Sequence, residues 1–428
     1  MATSPLTTPG GTELLELEVG AVAAGGGCVA RAPDGRVVFV RHSLPGERVI
    51  ARVTATTSSF LRADAVEILT PSVDRVPPPC PHAGPGRCGG CDFQHVEQGA
   101  QRRLKAFRVA EQLARVAGIE RTVAVEPVDG DAGGLHWRTR VRLAADKEGV
   151  VGFRKHRSHE LERVDDCPVA APKVAATGAL AARWPGVSEL EVVTGSGPGE
   201  ALIAVTPRGR GAPRLPEGDL GPGVGLVVRR KVVRPPGAVQ ARVRGRTYRI
   251  SAGVFWQVHA AAAAALLDAV LAVVGDCRGA RVVDLFAGAG LFSVPLAEAA
   301  GPEGAVLAVE RDPRACADAR HNGAGLANLE VTRAEVTPRL VATALGRPDV
   351  VVLDPARQGA GTPVMQALAA HAATVRKIVY VACDPASFAR DLRVLLDEGW
   401  GLAELRAFDI FPMTEHVELV AVIEPPSH

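Results

Sequence analysis

The apolar and polar residues of this chain follow three successive patterns. Residues 12–72 carry short strand-like runs, "LLELEVGAVA", "RVVFVRHS" and "ERVIARVTAT", punctuated by Gly25–Gly27, Asp34-Gly35 and Pro45-Gly46. Short strands broken by such turn residues predict a small β-barrel, a shape that often holds oligonucleotides. Residues 73–253 mix a helix over roughly Glu97–Ala117 with several strands and long Pro/Gly-rich breaks such as "PRGRGAPRLPEGDLGPGVG". This stretch reads as a central α+β domain. From 254 to 428 apolar strands alternate with helical segments: "RVVDLFAGAG", "AVLAVERD", "LEVTRAEV", "DVVVLDPAR", "KIVYVACDP" and "VELVAVIEP". That alternation implies an α/β domain built on a mostly parallel, doubly wound sheet. There is no internal repeat.

Within the last region "VVDLFAGAGLFS" is a strand running into a glycine turn and then a helix. Gly288 and Gly290 would let the backbone approach a ligand closely at the carboxyl edge of the sheet. Ser293 stands where a dinucleotide fingerprint has its third glycine. Acidic residues close three strands, Asp284, Glu310 and Asp354. One acid at a strand end is often a helix cap, but three around one glycine turn suit a nucleoside-bearing cofactor. S-adenosylmethionine fits better than a dinucleotide, because it has no pyrophosphate to need the missing glycine. The stretch "YVACDPASFARDL" places Cys383 where a strand ends and a helix begins. A free cysteine is commonly a small buried hydrophobe, yet this is also where α/β enzymes present a nucleophile.

Composition narrows the classes. Apolar residues make up 47% of 428 positions, enough for a large core, and the net charge is only +2. The basic residues are clustered: "VRRKVVRPPGAVQARVRGRTYR" (Val228–Arg249) has eight Arg or Lys and no acid, and "HWRTRVR" and "GFRKHRSH" add more. Clusters outside the last third suit a polyanion such as RNA. The N-terminus lacks the charged and apolar regions of a signal peptide, and no run reaches the ~20 apolar residues that span a bilayer. A cytoplasmic protein without a membrane partner is expected, so its eight cysteines are not expected to form disulfides. Cys80, Cys88 and Cys91 are spaced C-x7-C-x2-C, and Cys167 in "DDCPVA" is a natural fourth. Four thiolates suit tetrahedral zinc or a [4Fe–4S] cluster equally. Cys28, Cys277 and Cys316 read as ordinary buried residues.

With these residues in view the chain resembles the RNA uracil-5 methyltransferases of the 23S rRNA type. The resemblance spans nearly the whole chain and rests on "VFWQVH", "DLFAGAGLFSVPLA", "LDPARQG", "YVACDPASFARDL" and "FPMTEHVE", in that order. It implies a class I, Rossmann-like methyltransferase domain, an N-terminal TRAM (OB-like) barrel and a monomer acting on structured RNA. The RNA implied is 23S rRNA, with the tRNA T-loop as alternative; tRNA members of the family lack the barrel. A non-catalytic RNA-binding factor on the same fold is a third reading. Gln257, Phe286, Glu310 and Asp354 would contact S-adenosylmethionine, Cys383 would attack C6 of the base, and Glu418 would remove the C5 proton. Arg357 is a candidate for polarising a uracil carbonyl, or else belongs to a structural ion pair. For the four cysteines the resemblance favours the [4Fe–4S] cluster over zinc. The chain departs from the family's usual residues at His259, Ala287 and Asp384. Asp384 adds a carboxylate beside the nucleophile, while a helix starting near Pro385 would help the thiol ionise.

Overall fold

The computed structural model describes residues 6–7, 13–130, 132–198, 200–211, 216 and 218–426. Residue 12, the expected start of the barrel, and residues 212–215 and 217 of the Pro/Gly-rich break lie outside them.

The N-terminal strands form one six-stranded sheet between Leu6 and Thr70. The sequence reading named three of its strands, now seen as Glu13–Glu18, Val37–Arg41 and Arg48–Thr56. It passed over Cys28–Arg31 and the eleven-residue strand Phe60–Thr70. In the latter, polar Arg62, Asp64 and Glu67 interrupt the apolar positions, so only its pairing with two neighbours makes it a strand. Val38, Val40, Val49, Ala51 and Leu61 close the small core.

A seven-stranded sheet occupies the middle of the chain, from Arg140–Ala145 to Lys231–Arg234. A hairpin, Ala238–Val243 with Arg246–Ser251, then leads into the last region. The expected helix runs from Gln98 to Gln112 and ends in a π-helical turn, Leu113–Ala117. Glu97 caps it, its carboxylate accepting from the N–H groups of Gly99 and Ala100 at 2.8 Å each.

The last region holds an eight-stranded sheet. Its first five strands, in spatial order, are Leu329–Arg333, Ala305–Glu310, Arg281–Leu285, Val350–Leu353 and Lys377–Ala382, all parallel. Glu418–Glu424 then pairs antiparallel with Lys377–Ala382 and with Gly401–Asp409. Each central strand feeds two cores. Val282, Val350, Val352 and Val379 point to one face, and Val283, Val351, Leu353 and Tyr380 to the other. Burial on both faces is why these strands read as continuous apolar runs. The C-terminal hairpin does not form the sheet edge. Val125–Pro127 adds beyond it, parallel to Gly401–Asp409, and the helix Gln98–Gln112 packs against the helix Pro385–Asp397. A segment far earlier in the chain thus completes the sheet that carries the strand-end residues.

Candidate active site

Phe286, Glu310 and Asp354 stand at the carboxyl ends of three neighbouring parallel strands. Glu310 closes its strand with both oxygens engaged, one accepting from Gly288 N–H at 3.0 Å and the other from Asp312 N–H at 2.7 Å. Gln257 is buried and Phe286 half-buried. Phe286 has φ +64, a left-handed conformation that a bulky residue adopts only at a cost. The two glycines divide their tasks. A Cβ on Gly288 (φ +56) would meet open space, whereas one on Gly290 (φ +87) would lie 3.2 Å from Val294 and 3.4 Å from Ala319. Gly288 is therefore the one that opens the backbone to a ligand, and Gly290 lets two helices pack against the turn. Asp284 differs from the other two acids. It lies within its strand, fully buried, and accepts a hydrogen bond from Ser293 Oγ. Burial pushes its carboxyl up to about 7. It braces the glycine turn, with Ser293 filling the space of the absent glycine.

The nucleophile candidate lies two strands away. Cys383 is half-buried at the end of Lys377–Ala382. Burial pushes its thiol up to about 12, helped by the carboxyls of Glu418, Asp354 and Asp384 and opposed by Arg357. Glu418 opens the antiparallel strand opposite Phe408 and is 2% exposed. Its carboxyl lies well above the usual range, first through burial and then through Asp354. Asp354 is raised to about 7, through burial and Asp284. Two carboxyls sharing such a site disfavour a second charge. Asp384 turns out to be the N-cap of the helix Pro385–Asp397, its Oδ1 accepting from Ser387 N–H at 2.7 Å. The helix terminus that was expected to ionise Cys383 is thus occupied by the carboxylate next to it. Arg357 is exposed and forms no ion pair among the described residues; its Nη2 lies 3.0 Å from Nε2 of His416.

Two networks hold these residues in place. Tyr380 OH donates to Asp391 at 2.6 Å, and Asp391 accepts from Ala360 N–H at 2.7 Å, fastening the loop after Asp354. On the other side Gln101 binds Met413 N–H at 2.8 Å, and buried Lys105 bonds Asp409 at 2.5 Å and the Phe411 carbonyl at 3.0 Å. The Met413 carbonyl accepts from Asp92 and Phe93 N–H. Glu415 accepts from Gly25 and Gly26 N–H at 2.5 and 3.0 Å. The loop before Glu418 therefore touches the helix Gln98–Gln112, the cysteine-bearing loop and the barrel. The sequence reading named none of these anchors. Gln101 and Lys105 carried one weak signal, polar residues at the buried positions of a helix.

Cys80, Cys88, Cys91 and Cys167 line one cavity of about 320 Å³, although Cys167 is 76 residues beyond Cys91 (167 − 91). Gly90 N–H bonds Cys88, the N–H groups of Val169 and Ala170 bond Cys167, and the Gln94 amide reaches Cys91 Sγ at 3.4 Å. A Cβ on Gly89 would lie 2.8 Å from the His156 backbone, so the loop lies flat on the strand-end "RKH" of the basic cluster. Among the described residues no group of three or more His, Cys, Asp or Glu is set to hold a metal ion. Cys28, Cys277 and Cys316 are buried elsewhere. No helix among the described residues is long and apolar enough to cross a membrane.

Comparison with known proteins agrees with this layout. Residues 13–66 match the TRAM domain family, and residues 226–424 match the family described as tRNA (uracil-5-)-methyltransferase. An RNA methyltransferase of Streptomyces coelicolor is 48% identical, over 96% of this chain and 93% of its own. The 23S rRNA (uracil(1939)-C(5))-methyltransferase RlmD of Halomonas elongata is 35% identical, over 96% of this chain and 89% of its own. Among solved structures, the Pyrococcus abyssi tRNA (uracil-54, C5)-methyltransferase, in complex with S-adenosyl-L-homocysteine, shares the fold with a TM-score of 0.71 and 23% identity. It covers 95% of this chain and 99% of its own.

Proposed function

The chain belongs to the RNA uracil-5 methyltransferase family, and from that premise we propose that it methylates C5 of a uridine in 23S rRNA through a covalent bond between Cys383 and C6 of the base. S-adenosylmethionine supplies the methyl group as an electrophilic sulfonium substituent. Glu310, Phe286 and Gln257 hold it beside Gly288, where the turn leaves open space. Asp354 contacts it from the neighbouring strand end.

C5 of uracil is a weak nucleophile, so the thiol of Cys383 adds first. Its S–H bond breaks, an S–C6 bond forms, and the C5–C6 π electrons move to an enolate oxygen. The raised thiol of Cys383 makes its ionisation part of this step, with Asp354, the member of the Asp354–Glu418 pair that ionises first, receiving the proton. Arg357, which forms no ion pair within 4.0 Å among the described residues, faces the charge that grows on the base. C5 then takes the methyl group. Glu418, after its own proton has passed to solvent, removes the C5 proton; its burial makes it a stronger base than an exposed carboxylate. The double bond re-forms and the thiolate leaves. The observation that carries this reading is the placement of Cys383 beside Glu418, Asp354 and Arg357. Each of the three is close enough to shift the thiol's ionisation.

The choice of 23S rRNA rests on the RlmD relatives, which are 32–35% identical. The barrel does not make that choice, because the tRNA-modifying neighbour covers all but 5% of this chain, fewer residues than the barrel contains. The test is incubation with S-adenosylmethionine and 5-fluorouridine-substituted 23S rRNA or tRNA. Fluorine cannot leave C5 as a proton does, so a covalent RNA adduct at Cys383 accumulates with the true substrate. No adduct with either RNA, from protein that binds S-adenosylhomocysteine, sinks the mechanism.

For the four cysteines we propose a tetrathiolate-bound [4Fe–4S] cluster, for which their side chains would have to draw closer together than they stand here. They are among the residues that line one cavity, and N–H donors point at three of the sulfurs, Cys88, Cys91 and Cys167. Such a cluster ties two distant segments together and has no redox part in the methyl transfer. Anaerobically purified protein should be brown and contain acid-labile sulfide. A colourless preparation with one zinc per chain assigns the site to zinc instead.

A further inference from the structure

A second groove, of about 500 Å³, opens where the last strand of the seven-stranded sheet meets the hairpin Ala238–Ser251 and the helix Pro313–Asn322. Arg230, Arg249 and Arg314 line it with Ser251, and Val232 and Pro236 form its apolar wall; no acid is among its lining residues. Several features here have no structural explanation. Arg229 and Arg230 are consecutive left-handed residues, φ +46 and +71, in a hairpin turn that Asn-Gly would occupy without strain. Arg229 uses its guanidinium to hold the carbonyls of Gly209, Arg210 and Gly211. Arg230 has no hydrogen-bond or ion-pair partner among the described residues. Arg314 bonds the Ala252 carbonyl at 2.7 Å and pairs with Asp312 at 3.4 Å, but its Nε is buried without an acceptor. Arg249 meets Asp318 only at 3.6 Å and stays 47% exposed. The strand Lys231–Arg234 is exposed at every position, with Val232 and Val233 more than half open to solvent.

We propose that this groove binds a phosphodiester of single-stranded RNA flanking the target uridine. The phosphate is held by Arg230, Arg249 and Arg314, and the adjoining ribose or base packs on Val232 and Pro236. The assignment rests on the RNA methyltransferase reading above. Arg230 has no competing carboxylate among the described residues, and Arg249 and Arg314 meet theirs, Asp318 and Asp312, only at 3.6 and 3.4 Å, which leaves guanidinium N–H groups for a phosphate; an apolar wall beside them suits a nucleotide better than a free anion. The position fits as well. Ala252 lines the groove and Gln257 lies five residues further on, a span of at most ~18 Å of extended chain.

The test measures binding of a fluorescein-labelled 12-nucleotide oligouridylate by anisotropy across a potassium chloride titration, with a polyglutamate peptide of equal charge as comparison. The variants are R230A/R249A and, because Arg249 touches Asp318, separately V232E, which adds a negative charge at an exposed position. Each variant should bind RNA about tenfold more weakly than wild type. The salt slope should flatten in R230A/R249A by ~0.7 for each phosphate that is no longer neutralised. Affinity for S-adenosylhomocysteine should hold. Variants that bind RNA within twofold of wild type at unchanged slope overturn the proposal, as does polyglutamate binding as tightly as RNA. If wild type still methylates rRNA in that case, only the groove assignment fails. A wild-type protein that neither binds nor methylates RNA overturns the functional reading too.

Discussion

The ionisation of Cys383 is open to direct measurement. Burial and the carboxyls of Glu418 and Asp354 hold the thiol near 12 in the free protein. At pH 7.5 a thiol with that pKa is about 0.003% thiolate, against about 10% for an unperturbed cysteine at 8.5. The deficit is about 3,000-fold. A more basic thiolate is a better nucleophile, with a Brønsted slope of ~0.45, which returns about 40-fold over 3.5 pK units. Cys383 should therefore react with iodoacetamide on the order of a hundredfold more slowly than a cysteine in a flexible peptide. Slow reaction alone would also follow from poor access, so the pH dependence is what decides. The thiolate is the reacting form. The rate should rise tenfold per pH unit from 6.5 to 9.5 without levelling, followed by mass spectrometry of the Cys383 peptide with isotope-coded reagent. Asp354, raised only to about 7, is largely ionised at pH 8. D354N removes that charge, lowers the thiol pKa and should speed alkylation at pH 8. A plateau below pH 9, or a slower D354N, would refute the electrostatic account.

Four further outcomes follow from the geometry. G288A, whose new Cβ meets open space, should cost about 1 kcal/mol in stability for its left-handed φ, yet weaken S-adenosylhomocysteine binding at least tenfold by calorimetry. G290A, with its Cβ 3.2 Å from Val294, should lower the melting temperature more and the cofactor affinity less. E415A leaves Gly25 and Gly26 N–H without their acceptor, at about 1–3 kcal/mol for each buried group. Faster hydrogen exchange at residues 21–29 and at the loop before Glu418, with a fallen kcat, should report it; exchange confined to the barrel would detach Glu415 from catalysis. E418Q should methylate normally but retain the covalent RNA adduct with natural rRNA; adduct release at the wild-type rate would remove Glu418 as the base.

Much of this molecule is determined by the sequence alone, because its signals are local. Continuous apolar runs follow from strands buried on both faces, and the glycine turn and strand-end acids follow from what a crevice at the sheet's carboxyl edge requires. These features also carried the family resemblance and picked Cys383 out of eight cysteines. Local pattern could not rank the three acids. Asp284 looks like Glu310 and Asp354 in sequence, yet it is the buried brace of Ser293, and only Glu310 holds the turn's backbone. Nor could it judge Asp384, whose capping of its own helix cancels the ionising help that a bare helix terminus would give Cys383. The remaining decisions depend on segments hundreds of residues apart. Gln101 meets Met413 across 312 positions and Glu415 meets Gly25 across 390. Cys167 joins a cavity begun at Cys80, and Val125–Pro127 completes a sheet whose other strands begin at Arg281. Hydrophobic period and propensity are properties of a few neighbouring residues, so they can specify elements. Which distant elements meet is set by how two-sided sheets and one-sided helices bury their remaining apolar surface, and that is settled only when the whole chain packs.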